Sequence, residues 1–153
     1  MNRRRALILA SGAWVALAPL AAIAQRAQKL PVVAYVFGPV PTSQLTGPDP
    51  AHAHALAFVH RLRALGWEDG RNVILERHGA EDRPERAQAI LADVVARKVD
   101  VIYAAATAGA KVLVAEAIRA TRTIPIVFAG SSDPVAAGLV ASLARPGDRK
   151  SVV

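Results

Sequence analysis

From residue 32 onward the apolar positions alternate between two patterns, short continuous runs and runs spaced three and four apart. Residues 32–37, VVAYVF, form an apolar run of strand length rich in Val and aromatic side chains, which predicts a first strand. Residues 38–50 are dense in Pro, Gly, Ser and Thr and read as a loop. Ala55, Phe58, Val59, Leu62 and Leu65 then recur at helical spacing, predicting a first helix that Gly66 ends. Residues 72–78 form a more polar second strand, suited to a place near a sheet edge. Asp82 and Glu85 have the spacing of a capping box ahead of a second helix, with Ala87, Ile90, Leu91, Val94 and Val95 on its buried face. Residues 100–104 are the third strand. Thr107 is placed to cap a third helix, whose inner face is Ala110, Leu113, Val114, Ala117 and Ile118. Residues 125–129 form a fourth strand, and Pro134, welcome in a first helical turn, opens a fourth helix running to about Ala144.

Strands alternating with amphipathic helices of crossover length define an α/β fold, a parallel sheet flanked by helices on both faces. The expected strand order is 2-1-3-4, with the switch point between strands one and three. No repeat occurs at a solenoid period. Three loops should converge at the carboxyl edge of such a sheet. They carry Gly38 and Pro39 after strand one, Thr107 after strand three, and Ser131, Ser132 and Asp133 after strand four. Hydroxyls and unpaired helix N-terminal N–H groups there suit a carboxylate or a polar solute. Asp133 has a competing and stronger assignment, as N-cap of the helix opened by Pro134.

Ahead of this pattern stands a different one. Residues 1–5 are basic, residues 6–23 are an apolar run, and Ala22-Ile23-Ala24 closes it with small residues two apart. This describes a signal peptide over residues 1–24, cleaved before Gln25, and hence an exported, periplasmic protein. Ser11, Gly12 and Pro19 interrupt the run, which argues against a permanent span. Arg4-Arg5 also fits a loose twin-arginine pattern, so the export route stays open. The formal net charge of +7 is partly local, because Arg3, Arg4 and Arg5 supply three of the 19 basic residues. The others are interleaved with acidic residues, and aromatics make up 5% of the chain, so no nucleic-acid surface is expected. There are no cysteines, which excludes disulfides, thiolate metal sites and a lipid anchor on Cys.

Catalytic patterns are missing where the fold would need them. Phe37-Gly38-Pro39-Val40-Pro41 lacks the glycines of a dinucleotide loop, and no GxxxxGK[ST] occurs. Gly130-Ser131-Ser132-Asp133-Pro134 sits where a nucleophile elbow would, but Pro134 replaces its last Gly and no His follows. His52, His54, His60 and His78 show no ligand spacing; His52 and His54, two apart, fall on different sides of a helix and are expected to be solvated surface residues. Trp67 is expected to pack against a helix end. No enzyme activity, cofactor or metal is expected.

Several motifs, in order, carry a resemblance. Ile124-Pro125-Ile126-Val127-Phe128, Asp133-Pro134 and the segment AGLVASLARPG over residues 137–147 resemble the substrate-binding proteins of a bacterial ABC-transporter family. So do the LGW-x-x-GRN stretch over residues 65–72, Arg83-Pro84-Glu85-Arg86 and Val99-Asp100-Val101-Ile102. The resemblance runs from about Val32 to Gly147. It implies a type I-like periplasmic binding protein, residues 31–147 forming its Rossmann-like N-terminal lobe. A small solute, amino acids among the family's ligands, would bind between two lobes, and the closed form would meet the membrane permease of an importer. Residues 148–153 depart from the family pattern, and the simplest expectation is a truncated or frame-shifted reading frame. The rival is a sensory or regulatory ligand-binding domain on the same fold, although no helix-turn-helix precedes strand one; a hydrolase ranks below it.

Overall fold

In the computed structural model, residues 29–105, 110–129, 133–136, 138–142 and 150–152 are described. Five strands form one parallel sheet: β1 (Val32–Phe37), β2 (Ile74–Gly79), β3 (Val101–Ala105), β4 (Ile126–Ala129) and β5 (Lys150–Val152), in the order β2-β1-β3-β4-β5. Among the described residues the α-helices are α1 (Ala53–Ala64), α2 (Pro84–Ala96) and α3 (Ala110–Ala120). The expected order 2-1-3-4 is present, with β2 at an edge. Phe37 pairs with Gly79 on one side and Ala105 on the other, and Ala105 pairs with Ala129, so the carboxyl ends of four strands are level.

Strand direction decides which face each helix covers. The step from β1 to β2 and the step from β2 to β3 run opposite ways across the sheet. Right-handed crossovers therefore put α1 and α2 on opposite faces. The even-numbered residues of β1, Ala34 and Val36, join Ile102, Ala104, Ile126 and Phe128 in a core sealed by Leu91 and Val94 of α2 and Leu113, Val114 and Ala117 of α3. The odd-numbered Tyr35 and Phe37 face α1, with Tyr103, Ala105 and Ala129 beside them and Ala55 above. Tyr35, Phe58 and Tyr103 stack there at ring separations of 4.8–5.2 Å. Burial pushes the Tyr35 and Tyr103 phenols up, so both stay neutral, and the buried Tyr35 hydroxyl has no hydrogen-bond partner.

Local chemistry fixes the ends. Gly66, at φ +86°, closes α1 in a Schellman arrangement, Trp67 N–H donating to Leu62 O (2.9 Å) and Gly66 N–H to Arg63 O (2.9 Å). The Asn72 amide donates to Gly66 O and accepts from Glu68 N–H, each at 2.7 Å, so the LGW-x-x-GRN motif builds this turn. Asp69 anchors the start of β2 by accepting from Leu75 N–H (2.8 Å) and from the Arg77 guanidinium (2.7 Å). Asp100 accepts from Val32 N–H (2.8 Å), locking β3 to the start of β1. Arg97, just past α2, donates to Glu76 of β2 and to Asp93 (2.9 Å).

The expected capping box of α2 does not form. Glu81 and Asp82 take left-handed backbone angles (φ 55° and 54°), and Arg83 is held extended by the proline that follows it. Pro84 therefore opens the helix, with no side-chain cap on Arg83. The second strand starts at Ile74 because residues 66–73 are occupied by the Asn72 turn. The fourth helix is shorter than its pattern suggested. Among the described residues Pro134, Val135 and Ala136 make one turn, then Gly138 at φ +69° ends it with Leu139 N–H on Pro134 O (2.9 Å). Leu139 and Val140 drop directly into the α2/α3 core. Residues 150–152 pair in parallel with β4, Ile126 opposite Lys150, and so cover a row of backbone groups that an edge strand leaves open.

Candidate functional site

The carboxyl edge is built from the loop that leaves β1. Gly38 N–H donates across to Ala105 O (3.1 Å), bridging the ends of β1 and β3 at the switch point. Its carbonyl accepts from Asp82 N–H (2.8 Å), so both Gly38 backbone groups are already used and what it offers a ligand is space. Pro39 is half-buried beside it. The chain then crosses the end of β2 so closely that a Cβ on Gly79 would lie 2.1 Å from the Val40 carbonyl oxygen. The Thr42 hydroxyl accepts from Gly79 N–H (2.9 Å), and a short 3-10 turn, Thr42–Gln44, brings Leu45 into the α1-side core. Gln44 O accepts from His52 N–H (3.0 Å), which delivers the start of α1 to the same edge.

The sequence pattern did not anticipate what stands there. His52 and His54 were expected on different sides of a helix, as solvated residues; His54 is exposed, but both rings lie against Phe37, at 4.7 Å and 5.6 Å. The reason is local. His52 is the N-cap, still extended at φ −79° and ψ 123°, so helical angular spacing does not apply between it and His54. His52 makes no side-chain cap, no acidic residue occupies the first turn, and its Nδ1 is buried without a hydrogen-bond partner. Among the described residues, no side chain thus compensates the N–H groups that start α1 at the sheet's carboxyl edge. The available signal was the position of Ala55 as the first periodic apolar residue, which put His52 at the helix boundary.

Asp133, after β4, accepts from Val135 N–H (3.0 Å) and Ala136 N–H (2.8 Å) through one oxygen, so it caps its own turn. Thr107, Ser131 and Ser132 lie outside the described residues. Of the other histidines, His60 bonds Asp49 (2.9 Å) and thereby holds that carboxyl below the usual carboxylate range, and His78 lies 3.6 Å from Glu76. Among the described residues no group of His, Cys, Asp and Glu could hold a metal ion, and no helix is long and apolar enough to cross a membrane.

Cavities also lie away from this edge, and two of them matter here. One of about 540 Å³ is flanked by Arg63, Trp67, Asp69 and Arg77 beside β2. Its charges are already engaged: Arg77, 6% exposed, holds Asp69 and Gly47 O, and Arg63 holds Pro48 O. Its polar groups tie the loop at residues 47–49 to α1 and β2. The other, about 370 Å³, is an apolar groove over Val33, Val101, Tyr103 and Val127 on the face that carries α1.

In a parallel α/β sheet, ligands bind at the carboxyl edge near the switch point, where loops and the start of α1 gather here, and the comparisons say which class of such proteins this is. The sequence profile described as ABC transporter substrate binding protein matches residues 48–151, and the chain belongs to that family. It is 37% identical over 94 residues to a tyrosine-binding protein of Clostridioides difficile (strain R20291), a match covering 61% of this chain and 26% of that protein. Among solved structures it is similar to a conserved domain protein of Vibrio cholerae (TM-score 0.64, 30% identity, 81% of this chain and 38% of that one). A similar match is the ligand-free, open structure of a substrate-binding protein with adhesive properties from Clostridium difficile (TM-score 0.63, 30% identity, 78% and 37%). A Streptococcus pneumonia domain in complex with L-Trp shares the fold at 20% identity (TM-score 0.62, 80% and 38%). The chain spans about a quarter of the curated relative and under two fifths of each of these solved chains.

Proposed function

We propose that this chain is the N-terminal lobe, residues 31–147, of the exported solute-binding component of an ABC importer, made with a signal peptide over residues 1–24. It works in the periplasm and performs no chemistry. A small polar solute, an amino acid in this reading, binds at the carboxyl edge, lined by Gly38, Pro39, Thr107, Ser131, Ser132 and Asp133, and a second lobe closes over it. Closure then presents a surface to the membrane permease. The observation that carries the reading is the level carboxyl edge at the β1/β3 switch point, with the start of α1 delivered to it. The tyrosine-binding relative supports an amino acid as ligand.

The test is uptake. Cells of the native host lacking this chain should lose import of at least one labelled amino acid, and a plasmid copy should restore it. Unaltered uptake of all the common amino acids, with the permease present, would sink the importer reading.

A further inference from the structure

The two faces of the sheet are covered unequally. On the face of α2 and α3, Ile102, Ile126 and Phe128 of the inner strands β3 and β4 are at most 3% exposed. On the α1 face, Val101 and Val127 of the same strands stay only half-buried, as do Phe58 and Leu62 of α1 beside them. A parallel sheet ordinarily has both faces covered. The topology gives the reason. The steps from β2 to β3, β4 and β5 all run the same way across the sheet, so their right-handed crossovers land on the α2/α3 face. Among the described residues, the crossover on the other face is α1, from the one step that runs back. What is left beside it is the apolar groove of about 370 Å³, and none of its described lining residues is charged. It lies toward the strand starts, since Pro31 precedes β1, Val101 opens β3 and Val127 is second in β4, and so away from the carboxyl edge. Trp67, whose backbone is fixed by the turn that ends α1, lines the groove and is still 44% exposed.

We infer that this groove pairs two copies of the chain about a two-fold axis, the Trp67 ring of each copy entering the groove of the other. A two-fold contact needs a surface complementary to itself, with a projection and a recess on the same face. Trp67 and the groove supply both. The uncharged lining suits an apolar occupant, and an aromatic anchor in a desolvated pocket is where interfaces concentrate their affinity. The crossovers that follow β2 land on the opposite face, so they do not supply the cover. The groove by itself is smaller than the roughly 800 Å² per partner of a standard interface, so the pair is weak, with a Kd on the order of micromolar. Pairing there leaves the carboxyl edge of each copy free, and the inference stands apart from the solute-binding reading.

The experiment is sedimentation velocity and tryptophan fluorescence of the exported chain, beginning at Gln25, from about 1 to 300 µM. Trp14 lies in the leader, so Trp67 is the only tryptophan of that chain and its emission reports the groove directly. The mass should rise from monomer to dimer with concentration, and the emission should move to the blue in step as the ring leaves water. Trp67→Ala should raise the Kd about tenfold or more, as loss of an interface anchor does. Val127→Thr, which alters the groove floor and leaves Trp67 in place, should raise it about threefold or more by burying a hydroxyl. Far-ultraviolet circular dichroism checks that both variants fold. A monomeric mass at every concentration would overturn the inference, and a blue-shifted emission in that monomer would give the groove to a segment of the same chain. A dimer whose Trp67 emission does not move, or whose Kd neither variant alters, would also overturn it, because the contact would then lie elsewhere.

Discussion

Gly79 is the position where the smallest chemical change should do the most damage to the site's foundation. A methyl group there would sit 2.1 Å from the Val40 carbonyl oxygen and 2.6 Å from both Pro41 C and Thr42 N. Ordinary contact needs 3.4–4 Å, so the loop must retreat by more than 1 Å. All three atoms are backbone, and no side-chain rotation relieves them. Overpacking of this kind costs about 1–3 kcal/mol. The retreat also breaks the Gly79–Thr42 hydrogen bond, a loss of about 1 kcal/mol. Against this, Ala restricts the unfolded chain and returns about 0.4–1 kcal/mol. Gly79→Ala should therefore destabilise the fold by about 1–4 kcal/mol, read from urea unfolding followed by circular dichroism. Thr42→Val, which removes only the hydrogen bond, should cost about 1 kcal/mol. If Gly79→Ala is as stable as wild type or more so, the entropy gain acts alone and the close approach of the loop is wrong. The same retreat would release Gln44 from His52, so the variant should also lose solute affinity.

Other outcomes follow from the same contacts. Leu91 is 1% exposed between the sheet, α2 and α3, so Leu91→Ala should cost about 2–5 kcal/mol in the same urea assay; a loss below 1 kcal/mol would mean that core is loosely packed. The His60 hydrogen bond holds the Asp49 carboxyl low, so in the unfolded chain that carboxyl takes up its proton at higher pH than in the folded one. Asp49 thus stabilises fully above the ordinary carboxylate value near pH 4, and the contribution fades as pH falls toward its lowered folded value. Unfolding midpoints of Asp49→Asn measured across that window should lack the small rise with pH that wild type shows, and identical slopes would remove His60 as the cause.

How much of this was legible beforehand depended on whether a signal was local and periodic. The strands and the apolar faces of α2 and α3 were, because Leu91, Val94, Leu113, Val114 and Ala117 repeat at helical spacing and are buried as a set. The start of α2 was not. The Asp82-x-x-Glu85 spacing ignored Pro84, which forces Arg83 to be extended and shifts the helix start past Asp82. The turn after β4 was overextended for a similar reason: an Ala- and Val-rich stretch looks helical until Gly138 takes a positive φ. At the site, Asp133 behaves as the cap its spacing suggested. His54 and His60 are exposed as expected, but His52 and His54 were separated wrongly because a helical wheel was applied one residue too early, across an N-cap that is still extended. Pairing of residues 150–152 with β4 depends on a neighbour across the sheet, which three residues of sequence cannot express.

The central claim is that the solute site lies at the carboxyl edge of the sheet, and hydrogen exchange followed by mass spectrometry tests it most directly. The chain would be measured alone and with L-tyrosine or L-tryptophan. The account predicts slower exchange in peptides covering residues 37–44, 52–56, 105–110 and 129–136, with the flank around Arg63, Trp67 and Arg77 unaltered. Protection confined to that flank, which holds a cavity of about 540 Å³, would contradict it and move the site to the outer side of β2.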